Sequence, residues 1–139
     1  MSATPPGLLD TDMLSEVMRA RDPRVRESAQ RYLTEHGCFT FSIITRYEIL
    51  RGLKARDATR QVALFEHQCA RSTVLPLTDP IIAQATDIYA DLYKRGELIS
   101  DADILIAATA AAHGLSRITG NVAHFQRISG LQILSWRGA

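Results

Sequence analysis

Cysteine is scarce in this 139-residue chain: Cys38 and Cys69 stand 31 positions apart, with no CxxC pair. That spacing excludes a zinc ribbon and a disulfide framework, and two buried thiols of a cytoplasmic protein are expected instead. No apolar run approaches the roughly 18 residues of a membrane span. Met1–Gly7 carries no side-chain charge and leads into no long apolar block, so neither a signal peptide nor contact with a membrane is expected. Lysine is almost absent, with Lys54 and Lys94 set against fourteen arginines. The four histidines are scattered without metal spacing, and GxGxxG, P-loop and HExxH motifs are all missing.

The length predicts one domain over residues 1–139 with a core of its own. Hydrophobic residues make up 46% and charged residues 22%, which argues against disorder. Net charge is only +1, but its distribution is uneven. Five arginines lie between Arg19 and Arg31, and five basic residues between Arg46 and Arg60. Six acids lie between Asp79 and Asp103. Arginine grips phosphate bidentately, so the two basic segments suit a phosphate backbone as well as a solvated helix face.

Short apolar runs alternate with helical periodicity. Leu8-Leu9 opens a first strand that stops at Asp10-Thr11-Asp12, and a helix is expected from about Met13 to Ala20. Asp22-Pro23 reads as an N-cap with proline in the first turn, followed by Val25, Ala29, Tyr32 and Leu33 at helical spacing up to Gly37. Phe39–Ile44 is rich in β-branched and aromatic residues and reads as a strand, with Thr45 capping the next helix. A further helix is expected from about Thr59 and a strand over Thr73–Leu77. Asp79-Pro80 reads as the cap of a helix carrying Ile81, Ala85, Ile88 and Leu92. The helix from Asp101 to about His113 is apolar on nearly every face, so it should be buried. Strands around Arg117–Thr119 and Leu131–Trp136 close the chain. This order predicts an α/β fold with a parallel sheet of four to five strands and helices on both faces. Ligands bind such sheets outside the C-terminal ends of the strands.

Carboxylates fall at that edge. Asp10 follows the first strand, Glu48 sits in the first turn after the second, and Asp101 and Asp103 open the buried helix. Each has an ordinary role available: Asp10 or Asp12 as a cap, and Thr45-x-x-Glu48 and Ser100-x-x-Asp103 as capping boxes. If the acids converge, they repel. With no lysine near them in sequence, the simplest neutraliser is a divalent cation, and oxygen-only ligands suit magnesium or manganese. Such an ion lowers the pKa of a bound water and stabilises charge on a phosphodiester. With arginine-rich helices beside it, the combination reads as a metal-dependent nuclease.

Four segments carry a resemblance. Leu8–Glu16 resembles the opening of PIN-domain proteins of the VapC toxin type. Ser42–Leu53 is similar to their second motif, Asp101–Ala110 to their third, and Thr119–Phe125 followed by Ile128-x-Gly-Leu131 to their closing motif. The likeness runs in order from about residue 8 to 136. It implies a three-layer α/β/α fold and a magnesium- or manganese-dependent endoribonuclease, the toxin half of a type II toxin–antitoxin pair. In that family metal-activated water cuts RNA to leave 5′-phosphate and 3′-hydroxyl ends. It further implies a homodimer held inactive by a VapB-type antitoxin whose tail covers the groove. Carried over, Asp10 and Asp103 are metal-ligand acids and Glu48 completes the catalytic set. Thr11, Asp12, Asp101, Thr119 and Asn121 stand close behind, and Arg46 and Arg51 are candidates for RNA. Where many relatives have a fourth acid this chain has Asn121, which adds no charge.

Two other readings compete. Asp10-Thr11-Asp12 also resembles the opening of haloacid-dehalogenase-like phosphatases, although a glycine-rich flap and a nearby lysine are missing. A nuclease fold that only binds RNA or antitoxin is the non-enzymatic alternative.

Overall fold

The computed structural model describes residues 4–137. The first strand, β1 (Gly7–Leu9), sends neighbouring side chains to opposite sides of the sheet, as the period of two requires. Leu9 packs with Met13, Leu14, Phe41 and Phe65, while Leu8 packs with Ile106 and Ala110. That alternation divides the interior into two layers of helices around one sheet.

On the Leu9 side lie α1 (Thr11–Arg19), α2 (Pro23–His36), α3 (Ile43–Ala55) and α4 (Thr59–Ala70). On the other side α5 (Asp79–Lys94) packs along α6 (Asp101–Ala112). The remaining strands are β2 (Thr40–Ser42), β3 (Thr73–Leu75), β4 (Ser116–Ile118) and β5 (Ile133–Leu134). A single turn of helix, α7 (Val122–Phe125), separates the last two. Among the described residues the strands form one five-stranded sheet in the order β3-β2-β1-β4-β5, and every pairing is parallel. This is the expected three-layer α/β/α architecture. Among the described residues no helix is long and apolar enough to cross a membrane.

The expected elements are present, with shifted ends. The second strand stops at Ser42 rather than Ile44, because the Ser42 hydroxyl accepts the Ile44 N–H and starts α3 there. Thr45 is therefore a buried residue inside the first turn, not the cap, and its capping box with Glu48 does not form. Thr78, not Asp79, caps α5. Helix α7 was not expected: Asn121 caps it by accepting the His124 N–H. The burial of α6 is as expected, with Ile104 and Ile106 through Ala110 all inside. Both cysteines are free and half-buried.

The entry into β1 is held by one phenol. Tyr32 Oη donates to the Gly7 carbonyl at 3.0 Å and accepts the Gly7 N–H at 3.1 Å. Its ring packs between Phe39 and Trp136. Tyr32→Phe keeps the ring and leaves both Gly7 groups without that partner. A loss of about 1–3 kcal/mol is expected, read as a lower unfolding midpoint in urea. An unchanged midpoint would show that water replaces the phenol without cost.

Candidate functional site

Three crossovers bring functional side chains to the C-terminal edge of the sheet. Asp10 follows β1, and its backbone N–H is fixed by the Ile118 carbonyl of β4 at 3.0 Å. Its side chain does two jobs. Oδ1 accepts the Met13 N–H at 2.8 Å and caps α1, while Oδ2 faces the guanidinium of Arg117 at 3.5 Å. The capping role and the site role, alternatives in the sequence, thus use different oxygens of one carboxylate. Asp103 comes from the first turn of α6. Ser100 Oγ accepts its backbone N–H, which leaves the carboxylate free to turn inward. Asp103 Oδ1 lies 3.1 Å from Arg117 Nη2, and Oδ2 lies 3.8 Å from His124 Nε2.

Arg117 is the residue that sequence reasoning missed. It lies in β4 with no exposed surface, and one nitrogen, Nη2, is shared by Asp10 and Asp103. Nη1 donates to the Asp103 backbone carbonyl at 2.9 Å, and the guanidinium carbon sits 3.4 Å from the centre of the Phe125 ring. Among the described residues Nε–H has no acceptor. Burial pushes the Asp10 carboxyl above the usual carboxylate range, with Arg117, the Thr119 hydroxyl and the Met13 amide pulling against it. Burial likewise pulls Arg117 below the ordinary arginine range, against the attraction of Asp10 and Asp103. Desolvation thus outweighs attraction on both sides of the pair. The divalent ion expected as the simplest neutraliser of these acids does not act alone, since part of the neutralising charge is supplied by the chain itself. The signal for it was an arginine within an otherwise apolar central strand, because a buried charge requires a partner.

The third acid stands apart. Glu48 Oε1 accepts the Thr11 hydroxyl at 2.6 Å, and Thr11 Oγ1 lies 3.0 Å from Thr45 Oγ1. Glu48 also meets Arg51 at 3.8 Å. Among the described residues no three acids, histidines or cysteines are drawn together tightly enough to enclose a metal. Asp10 and Asp103 converge, and Glu48 does not join them directly. Asp12 and Asp101 are exposed in the first turns of α1 and α6. Thr119 is buried and accepts the Asn121 N–H, while Asn121 is exposed as the cap of α7. Arg46 is engaged by Glu66 at 2.9 Å, whereas Arg51 is exposed and lies over the Tyr47 ring.

The donor chemistry suits a hard cation. Asp10 and Asp103 offer oxygen only, they already meet at a cationic nitrogen, and two carboxylates against one guanidinium leave the pair net negative. Beside Glu48 and Thr11 opens a cleft of about 520 Å³ between α1, α3 and α4, with Met18, Ile49 and Leu64 among its apolar lining and Arg19 and Arg56 among its basic lining. A second clamp closes the flank: Arg137 holds Glu16 through two bonds, at 2.6 and 2.9 Å, and a Cβ on Gly120 would fall 2.5 Å from its guanidinium.

The family model described as PIN domain matches residues 7–131. The ribonuclease VapC2 of Haemophilus influenzae is 32% identical over 93% of this chain and 96% of its own length. The tRNA(fMet)-specific endonuclease VapC of Shigella flexneri is 28% identical over the same shares, 93% and 96%. Among solved structures, the DNA-bound VapBC complex of Salmonella typhimurium contains a chain that superposes with a TM-score of 0.84 at 27% identity, covering 96% of this chain and 99% of that one.

Proposed function

Because the chain belongs to the PIN domain family, we propose that it is an endoribonuclease, the toxin of a type II toxin–antitoxin pair, which hydrolyses RNA at the Asp10–Asp103 site. The observation that carries this reading is the meeting of two carboxylates, from β1 and α6, at one point on the C-terminal edge of a parallel sheet. Support comes also from relatives named as ribonucleases that align along nearly the whole chain. The reading takes residues 1–139 as one nuclease domain.

Asp10 and Asp103 are the residues that would hold a magnesium or manganese ion, which when bound supplies an acidified water and charge to offset the phosphodiester. The chain's own part is positioning. The Met13 amide holds Asp10, the Ser100 hydroxyl fixes the backbone of Asp103, and Thr11 holds Glu48. Glu48 is the third acid, placed to take a proton or orient water at the mouth of the cleft. Asp12, Asp101 and Asn121 are assigned to the surround rather than to the ion. For RNA, Arg51 is exposed and only loosely paired with Glu48, so it suits contact with phosphate, whereas Arg46 reaches it only by giving up Glu66. The cleft between α1, α3 and α4, apolar with arginines at its rim, suits the tail of a VapB-type antitoxin. The exposed Ile82, Tyr89 and Tyr93 of α5 suit a second copy. Two free thiols agree with a reducing cytoplasm.

The test is cleavage of total bacterial RNA by purified, antitoxin-free protein in magnesium, in manganese and in EDTA. Discrete fragments with 5′-phosphate ends are expected with either metal and none in EDTA. Cleavage that continues in EDTA would remove the metal from the proposal. No cleavage in any condition would favour a PIN fold that only binds.

A further inference from the structure

Resting on the metal-site reading above, we infer that Arg117 is a built-in rival of the metal: its guanidinium occupies the ground between Asp10 and Asp103 and holds down the site's affinity for a divalent cation. Nη2 lies 3.5 Å from Asp10 Oδ2 and 3.1 Å from Asp103 Oδ1. An ion bound at about 2.1 Å from those oxygens lies within about 5 Å of that nitrogen. Two consequences follow. The carboxylate oxygens must be shared between two cations, and the incoming charge is repelled by a resident positive one.

A purely structural ion pair has a different signature, because a buried guanidinium kept for stability has its donors satisfied. Here, among the described residues, Nε–H has no acceptor, and apart from the bond of Nη1 to the Asp103 carbonyl the group is held by the Phe125 ring and by the two acids that the metal needs. The position itself lies in a central strand, flanked by Ser116 and Ile118 and fully buried. An apolar side chain there would leave the acids open to metal alone. With arginine, metal occupancy, and with it cleavage, is shifted to higher free metal concentration.

Repulsion between a single and a double charge at about 5 Å is worth at least about tenfold in affinity even with the dielectric of water. The experiment is calorimetric titration of magnesium chloride and manganese chloride into antitoxin-free protein at pH 8, for the wild type, Arg117→Met and Arg117→Lys. Thermal melts in EDTA confirm that each variant is folded. Arg117→Met is expected to bind both metals at least about tenfold more tightly than the wild type. Arg117→Lys keeps the charge on a flexible stem without the planar fork, so it is expected to fall between the two. Equal or weaker binding by Arg117→Met overturns the inference and makes Arg117 a positioning residue that arranges the acids for the ion. If Arg117→Met does not fold, Arg117→Lys decides, and affinity no tighter than the wild type overturns it. Failure of all three proteins to bind metal removes the metal site and this inference together, an outcome distinct from three equal affinities.

Discussion

Asp103→Asn is expected to lower RNA cleavage by about a thousandfold or more while leaving the fold in place. The substitution removes one negative oxygen from the pair proposed to hold the metal. Lewis-acid stabilisation by such an ion is worth several kcal/mol, and each 1.4 kcal/mol or so is tenfold in rate. The fold should survive because Asp10 still offsets the buried Arg117 charge after the Asp103 charge is lost. The Ser100 cap bonds the backbone of Asp103, not its side chain, and the asparagine carbonyl still accepts from Arg117 Nη2. The helix behind it is anchored by Ile104 and by Ile106 through Ala110. Initial cleavage rates beside circular dichroism melts check both halves. Full activity in the variant would falsify the site assignment, and lost activity with a lost fold would say nothing about the ion.

Arg117→Ala is expected to destabilise the metal-free protein by about 3–5 kcal/mol, the cost of breaking a buried ion pair on one side. Asp10 is the reason: it is almost fully buried, and among the described residues it forms no ion pair except with Arg117. For a chain of this size the loss lowers the melting temperature by about 10–20 °C. Asp10→Asn placed on top of Arg117→Ala is expected to restore part of the loss, since the amide is neutral and still caps α1 through Met13. Melts of the two single variants and the double variant in EDTA form the cycle. A double variant with additive losses would show that the cost lies in the cavity over Phe125 and not in an orphaned charge.

The layers of this fold were legible because the sequence states them locally. Leu8 and Leu9 announce a strand buried on both faces, and the apolar run through Ala107–Ala110 announces an interior helix. Proline after Asp22 and glycine at positions 37 and 114 mark the helix ends. Element ends were less legible where two hydroxyls competed: Ser42 and Thr45 both suit a cap, and the strand geometry chooses the earlier one. Helix α7 is four residues long, too short for periodicity to register. At the site, the acids could be named from their places after strands and at the start of α6. Their arrangement could not. Asp10 and Arg117 are 107 positions apart, and no local pattern tells that β4 lies beside β1. Separation along the chain also hid Arg137 beside Glu16, 121 positions away, and His124 beside Asp103.

β1 is at the middle of the sheet and at the start of the chain, whereas its neighbour β4 is near the end. On the ribosome this order becomes a delay. At about 5–20 residues per second, the 107 positions between Asp10 and Arg117 take about 5–20 s to synthesise. For most of that interval a nascent chain has the first acid of its site but not Asp103, and throughout it lacks the strand that lines the acids up. Every residue lining the cleft, from Thr11 to Leu64, has by then been made. The order of translation therefore completes the residues of the cleft before those of the proposed nuclease site.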